Sequence, residues 1–311
     1  MSTIFLRQKS IHLATALLLI CALASGATTA EALTNQTKYP IAVTVDSIKT
    51  TISKEPKRII SLSPSATEIL FGIGAGKQVL AVDANSNFPA SAPISKLDGF
   101  TPNVEAIAAY KPDLVILQSS AGKANKVAAQ LGALKIAVLM EVTPKNLKDV
   151  FAEMSLDGRL TNHTASTLKL EKSMQSRISS AMKNANSTKS YTFFHELDNT
   201  GYSATSSTFI GQVYKSFGLT NIADAAATAD SSGYPQLSPE ATIGANPDLV
   251  FLADAQYGES PSTFGTRPGF SVLTAVKNNH VFALPSDISS RWGPRIVNFY
   301  QLISTAVKSL G

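Results

Sequence analysis

The stretch Glu105-Ala106-Ile107-Ala108-Ala109-Tyr110-Lys111-Pro112-Asp113-Leu114-Val115-Ile116-Leu117 returns without a gap as Glu240-Ala241-Thr242-Ile243-Gly244-Ala245-Asn246-Pro247-Asp248-Leu249-Val250-Phe251-Leu252, identical at seven of thirteen positions. Each copy opens on a glutamate at the front of a short helix, turns at Pro-Asp and enters an apolar run, the pattern of helix, turn and buried strand. A chain that uses this unit twice is expected to fold as two similar lobes, each displaying one acid in an equivalent place, with a cleft between them. Its 311 residues are 44% hydrophobic, enough for two medium cores.

Residues 1–30 read as a signal peptide. Arg7 and Lys9 form a positive leader, Leu13 to Ala24 is an apolar run too short for a stable membrane span, and Ala22-Leu23-Ala24 offers small residues for cleavage between about residues 24 and 30. The protein is therefore expected outside the cytoplasm. Cys21, the single cysteine, lies in this leader and raises a lipid anchor, but Ile20 stands where such sites carry a small residue, so ordinary cleavage near Ala24 is preferred. The mature chain then has no disulfide and depends on its core. The net charge of +5 includes Arg7 and Lys9, and no basic cluster stands out, which disfavours nucleic acid as a partner.

Residues 31–57 read as a small, polar tether followed by a hairpin, Ile41 to Val45 and Lys49 to Ile52 around Asp46-Ser47. An N-terminal lobe is expected over 58–143, with strands at Arg58–Leu62, Val79–Val82, Leu114 onward and Ile136–Met140. Ser65 and Glu68 have capping-box spacing, so Glu68 is read as a helix cap. Leu170, Met174, Ile178 and Met182 recur at every fourth residue, and nothing strand-like interrupts the connector 144–188, which is read as a long helical joint. A C-terminal lobe over 189–311 takes strands at Tyr191–Glu196, Leu249–Leu252 and His280–Leu284, and a closing helix from Pro294 to Lys308. The fold class is α/β: two similar lobes with mostly parallel sheets, joined by a long helical connector, with ligand-facing loops at the strand ends.

Helix dipoles favour a carboxylate in the first turn, which explains Glu105 or Glu240 alone but not the same acid in the same place of a duplicated unit. Here the chain resembles class III solute-binding proteins of ABC importers, the group that includes binders of vitamin B12, ferric siderophores and haem. The resemblance is carried by Arg58 to Glu68 (RIISLSPSATE), Asn103-Val104-Glu105-Ala106-Ile107, Lys111-Pro112-Asp113-Leu114-Val115, Ser238-Pro239-Glu240 and Asn246-Pro247-Asp248-Leu249-Val250, and it covers nearly all of residues 41 to 311. It implies that Glu105 and Glu240 dock to arginines on the two membrane subunits of the importer, one for each lobe. Two carboxylates on separate lobes could set the register of the protein over a two-fold mouth.

Candidate ligand-binding residues are Asn85, Phe88, Phe100, Tyr202, Tyr234, Arg291 and Trp292, an aromatic set suited to a broad organic ligand, with Arg291 able to meet a carboxylate or phosphate. The resemblance singles out Tyr234, in the loop where the vitamin B12 binder carries an aromatic contact. It disfavours haem, because Phe100 lies in the loop where haem binders carry a tyrosine ligand. Direct capture of a metal ion is disfavoured too, since His163, His195 and His280 are far apart in sequence. His195 is kept as a contact to a metal-bearing ligand. Lacking an evident arginine cluster, the chain points to a corrinoid, with a ferric siderophore as the alternative. No cofactor and no catalysis are expected, and a monomer is expected. Two rivals stand beside this reading: an exported serine hydrolase built on Gly201-Tyr202-Ser203-Ala204-Thr205, whose final threonine breaks the nucleophile-elbow pattern, and a receptor domain that signals without delivering cargo.

Overall fold

The computed structural model describes residues 37–120, 122–185 and 189–311; the leader, its cleavage site, Cys21 and the first part of the tether lie outside them. Asp46 and Ser47 both take positive φ, 48° and 64°, the backbone of the tight two-residue turn that joins β1 (Ile41–Val45) to β2 (Ile48–Ile52). This hairpin lies against an edge strand of the first sheet, with the Thr50 hydroxyl donating to the Val138 carbonyl at 2.5 Å.

The first sheet contains β3 (Ile59–Leu62), β4 (Val79–Val82), β5 (Leu114–Gln118) and β6 (Ala137–Glu141), with α1 (Pro64–Gly72), α2 (Val104–Ala109) and α3 (Ala124–Ala133) between them. The second contains β7 (Thr192–Glu196), β8 (Thr220–Asn221), β9 (Leu249–Leu252) and β10 (Val281–Ala283). Its helices between strands are α6 (Phe209–Lys215), α7 (Pro239–Ala245), α8 (Pro261–Thr266) and α9 (Thr274–Lys277), after α4 (Leu147–Leu160) and α5 (Thr164–Asn184) of the connection. The short α10 (Ser286–Ser289) and the amphipathic α11 (Ile296–Lys308) close the chain. Both sheets are parallel throughout, in the orders β4-β3-β5-β6 and β8-β7-β9-β10. Counted within each lobe, both orders are second, first, third, fourth strand, so the duplication extends to topology.

The repeat is explained by its hydrogen bonds. At the end of α2 and of α7 the chain must turn back, and Lys111 (φ 53°) and Asn246 (φ 45°) do so in the same left-handed conformation. The aspartate two residues later then ties the third strand to the first. Asp113 accepts the N–H groups of Lys57 and Arg58, each at 2.9 Å, while Asp248 accepts the N–H of Thr192 at 2.8 Å and its hydroxyl at 3.0 Å. The apolar runs that follow fill the two cores: Ile60, Val115, Leu117 and Met140 pack in one, Phe194, Val250, Leu252 and Phe264 in the other. Each such fully buried side chain contributes about 1.5–3 kcal/mol relative to exposure.

The connection is two helices and not one. Asn162, at φ 65°, breaks the run between α4 and α5, and the Thr161 side chain caps α4 by donating to Asp157 O at 2.7 Å. Met174 and Ile178 of the four-residue stripe are buried on α5, which packs against α11, where Ser304 donates to Ala181 O at 2.8 Å. Helix α11 also packs on the second lobe, its Phe299 ring edge-on to Tyr214 at 5.4 Å.

The capping role assigned to Glu68 does not hold. Ser63 caps α1 by accepting the Ala66 N–H at 3.4 Å, and Pro64 takes the first helical position. Glu68 is buried and faces Arg291 and Arg295 instead.

Candidate functional site

In open parallel sheets, ligands are received beyond the carboxyl ends of the strands, where successive connections leave in opposite directions. Both lobes put this point between their first and third strands, β3/β5 and β7/β9. The chain there runs into Ser63-Pro64-Ser65 and Gln118 on one side, and into Leu197 and Ala253 to Tyr257 on the other. All of these except Asp254 and Ala255 line one cleft of ≈ 730 Å³, which the turn Ser286–Trp292 closes from a third side.

Its N-terminal wall is held by a buried polar chain. The Thr67 hydroxyl lies 2.8 Å from Ser61 Oγ and 3.1 Å from Ser86 Oγ, and Ser86 in turn donates to Asp83 at the end of β4. Burial pushes the Asp83 carboxyl up, against the Ser86 hydrogen bond that pulls it down. Asp83 also supports the loop that returns at Gly99, where an added Cβ would lie 2.9 Å from Leu62 O. This loop delivers Asn85, Asn87 and Phe100 to the cleft.

Arg291 and Trp292 come from the opposite side. Arg291 donates to Asn87 Oδ1 at 2.7 Å and to Asn85 O at 3.0 Å, and pairs with Asp287 at 2.8 Å and Glu68 at 3.5 Å. Arg295 makes a two-pronged pair with Glu68, its Nε 3.0 Å from Oε2, and lies 4.1 Å over the Phe88 ring. The Trp292 N–H reaches Ser65 Oγ at 3.3 Å. These contacts join helix α1 of the first lobe to the segment that opens α11.

Behind Trp292 lies an acidic region. Glu141, buried at the end of β6, has its carboxyl raised by burial, and Glu153 of α4 is raised well above the usual range by burial and by the charge of Glu141. The Trp292 indole lies beside both. In the second lobe Glu196 closes β7 and is held by Arg267 at 2.6 and 2.7 Å; burial lifts its carboxyl to about 7 despite this partner.

Of the sequence candidates, Asn85, Phe100, Arg291 and Trp292 line the cleft, while Phe88, Tyr202 and Tyr234 lie outside its lining. The Phe88 ring is covered by Arg295, Tyr202 sits on an antiparallel bridge to Gln236, and Tyr234 closes a turn onto Ser231 O at 2.7 Å. His195 is shut in the core with Nδ1 2.8 Å from the Tyr214 hydroxyl, and desolvation drops it to about 3, so it is no contact for a ligand in the cleft. His163 is held at the start of α5, its Nδ1 2.8 Å from Thr161 O. Ser203 is fully buried, bridged to Glu196, and its hydroxyl has no hydrogen-bond partner among the described residues, so no base touches it. Sequence reasoning missed Gln118, Gln256, Tyr257 and Asp287 in the lining. Gln118 could have been found as the last residue of the first apolar strand of the duplicated unit, and Tyr257 as part of the loop that follows the second, five residues after Leu252.

Glu105 and Glu240 are both exposed and both the second residue of their helices, after the equivalent caps Asn103 and Ser238. Crossover helices run against their strands, so both acids stand at the cleft end of their sheets. Hydrogen bonds from its own N–H and from Ser238 hold the Glu240 carboxyl below the usual range.

Residues 59–288 match the family described as periplasmic binding protein. The uncharacterized ABC transporter substrate-binding lipoprotein YvrC of Bacillus subtilis is 29% identical over 83% of this chain and 82% of its own length. The vitamin B12-binding protein of Vibrio parahaemolyticus is 27% identical over 80% of this chain and 88% of that protein. Among solved structures, the vitamin B12 binding protein BtuF of Vibrio cholerae has a TM-score of 0.67 at 24% identity, covering 81% of this chain and 97% of that one. The heme-binding protein RhuT of Roseiflexus sp. RS-1 has 0.71 at 22%, covering 82% and 99%. Twinned parallel sheets around one cleft are the fold these structures share, and with the family match over most of its length the chain belongs to the periplasmic binding protein family.

Proposed function

We propose that this protein is an exported solute-binding protein of an ABC importer, capturing a metal chelate, a corrinoid in first place, and presenting it to the membrane subunits through Glu105 and Glu240. The observation that carries the ligand class is the cleft lining. Its single cation among the described residues is Arg291, already engaged by Asp287, Asn87 and Glu68; apart from Asp287, the rest is amides, hydroxyls, a few small or aliphatic side chains such as Leu197 and Ile210, and the rings of Phe100, Tyr257 and Trp292. A volume of ≈ 730 Å³ suits a sizeable organic ligand. A wall of rings and amide groups whose one cation is already paired suits a corrinoid, which carries amide side chains, better than a polyanionic siderophore that would need free guanidinium groups. Relatives named as cobalamin- or vitamin B12-binding support the same order. Catalysis has no support at Ser203. Export by the leader is proposed with cleavage near Ala24 and not at Cys21, a choice the mass of the mature N-terminus decides.

Haem has one observation in its favour: Tyr257 is 82% exposed at the cleft and could offer a phenolate to iron. Isothermal titration of the mature domain with cyanocobalamin, cobinamide, a panel of ferric siderophores and haemin separates the readings. Tight one-to-one corrinoid binding is expected. Binding of haemin alone, lost in Tyr257→Phe, or of a siderophore alone, overturns the corrinoid assignment while leaving the carrier role in place. For docking, Glu105→Ala and Glu240→Ala should leave ligand affinity unchanged and lower uptake and transporter-stimulated ATP hydrolysis. A collapse of affinity with normal uptake per bound ligand refutes that role.

A further inference from the structure

We propose that Glu196, Asp254 and Glu259 form a binding site for one hard divalent cation, of the calcium or manganese class, at the root of the loop that carries Gln256 and Tyr257 to the cleft. One carboxylate oxygen of each residue lies within 4.8 Å of the other two. Glu196 and Asp254 are buried, at 0% and 4% exposure, at the carboxyl ends of the neighbouring strands β7 and β9. Glu259 comes back to them after the turn Ala255–Tyr257 and Gly258, whose φ is 100°.

The charges in this cluster do not balance. Arg267 uses its two terminal nitrogens on Glu196 at 2.6 and 2.7 Å and on Glu259 at 3.0 Å, one positive charge against three carboxylates. Thr263 donates to Glu259 at 2.5 Å. Asp254 is less well served: its Oδ1 is buried without a hydrogen-bond partner among the described residues. A buried carboxylate oxygen with no donor, beside two further acids, calls for a cation. A set made only of carboxylate oxygens selects hard ions, which complete their shell with water, over zinc or copper, which favour nitrogen and sulfur.

Such an ion would fasten both ends of the 254–259 loop to the end of β7, fixing the wall that holds Gln256 and Tyr257. The inference does not depend on which chelate the cleft takes. Its test is calorimetric titration of the full mature protein, stripped with EDTA, with CaCl₂, MnCl₂ and MgCl₂ separately. One-to-one binding of Ca²⁺ or Mn²⁺ is expected, with a Kd of order 10⁻⁴ M, the range of weak extracellular calcium modules. Affinity should fall at least tenfold in Asp254→Asn and in Glu259→Gln. The Glu259 side chain keeps 11% exposure and its two oxygens already have partners in Arg267 and Thr263, so its variant keeps the test valid if Asp254→Asn does not fold. No saturable heat from any of the three salts up to about 10 mM, well beyond that range, overturns the site. So does binding that Glu259→Gln leaves unchanged, which would place the ion elsewhere.

Discussion

Replacing Glu68 by glutamine removes one charge from the contact between α1 and the segment that opens α11, with almost no change of shape. The Glu68 side chain is 1% exposed, while those of Arg295 and Arg291 keep 19% and 11%. Breaking a buried pair from one side costs about 3–5 kcal/mol, because the remaining charge loses its partner. The two arginines reach water and retain Asp287, at 2.8 Å from Arg291 and 3.8 Å from Arg295, so the lower end, about 3 kcal/mol, applies. For a domain of this size each kcal/mol shifts the melting midpoint by about 2–4 °C, so Tm should fall by roughly 6–12 °C. Trp292, the chain's one tryptophan, bonds through its backbone to Ser65 in the same contact, so its fluorescence follows the unfolding directly. Hydrogen exchange should also rise in residues 64–72 and 291–296 before global unfolding. A midpoint within about 2 °C of the parent, with exchange unchanged in both segments, would refute the view that this pair holds α1 against the segment that opens α11.

Saturation with a corrinoid should quench Trp292 emission, and Tyr257→Ala should weaken binding by roughly tenfold, the ~1.4 kcal/mol of one lost aromatic contact; an unchanged spectrum at saturation removes Trp292 from the ligand site. Gly201→Ala should destabilise by about 2 kcal/mol in urea titration, because Gly201 has φ +91° and an added Cβ would lie 2.4 Å from Leu237 O. The carboxyls of Glu141 and Glu153 are raised in the folded state, burial being the first cause for each, so their stabilising effect is complete below the ordinary value of 4.5 and is lost as pH rises through the raised native values. Glu153→Gln should therefore flatten the fall of stability between acid and neutral pH and raise the urea midpoint at pH 8, and a slope equal to the parent's would contradict the burial argument.

The duplicated unit was legible because its parts are local: a capped helix, a left-handed turn, an aspartate and an apolar run lie within fifteen consecutive residues, from Asn103 to Leu117 and from Ser238 to Leu252. Other elements depend on distant partners. Strand β8 is two residues long and exists through pairing with Thr192 and Phe193, so no periodicity announces it. The partners of Glu68 lie more than two hundred positions away, and serine-to-glutamate spacing alone suggested a cap that Ser63 in fact supplies. The break between α4 and α5 rests on one left-handed asparagine inside a stretch with good helical spacing. Aromatic residues near loops were an uneven guide to the cleft, since Phe100 and Trp292 line it while Phe88, Tyr202 and Tyr234 lie outside its lining, whereas Gln118 closes strand β5 and Tyr257 belongs to the turn after β9.

One frame carries different chemistry in its two halves. Pairing aligns Ile59 with Leu114 and Phe193 with Leu249, so Ser61 and His195 are equivalent, as are Leu62 and Glu196. The first lobe uses its buried polar position to start a chain of hydroxyls toward Asp83 and the cleft loop; the second closes it off with Tyr214. Three buried glutamates near the strand ends then differ in how they are compensated. Glu196 pairs with Arg267, which it shares with Glu259, and Glu141 has no hydrogen bond to either oxygen among the described residues. Glu68 is compensated by Arg291 and Arg295 of the segment that opens α11. Glu68 thus depends on partners more than two hundred positions away in sequence, beside the Ser65 and Trp292 that line the cleft, and losing them would leave a buried charge without compensation.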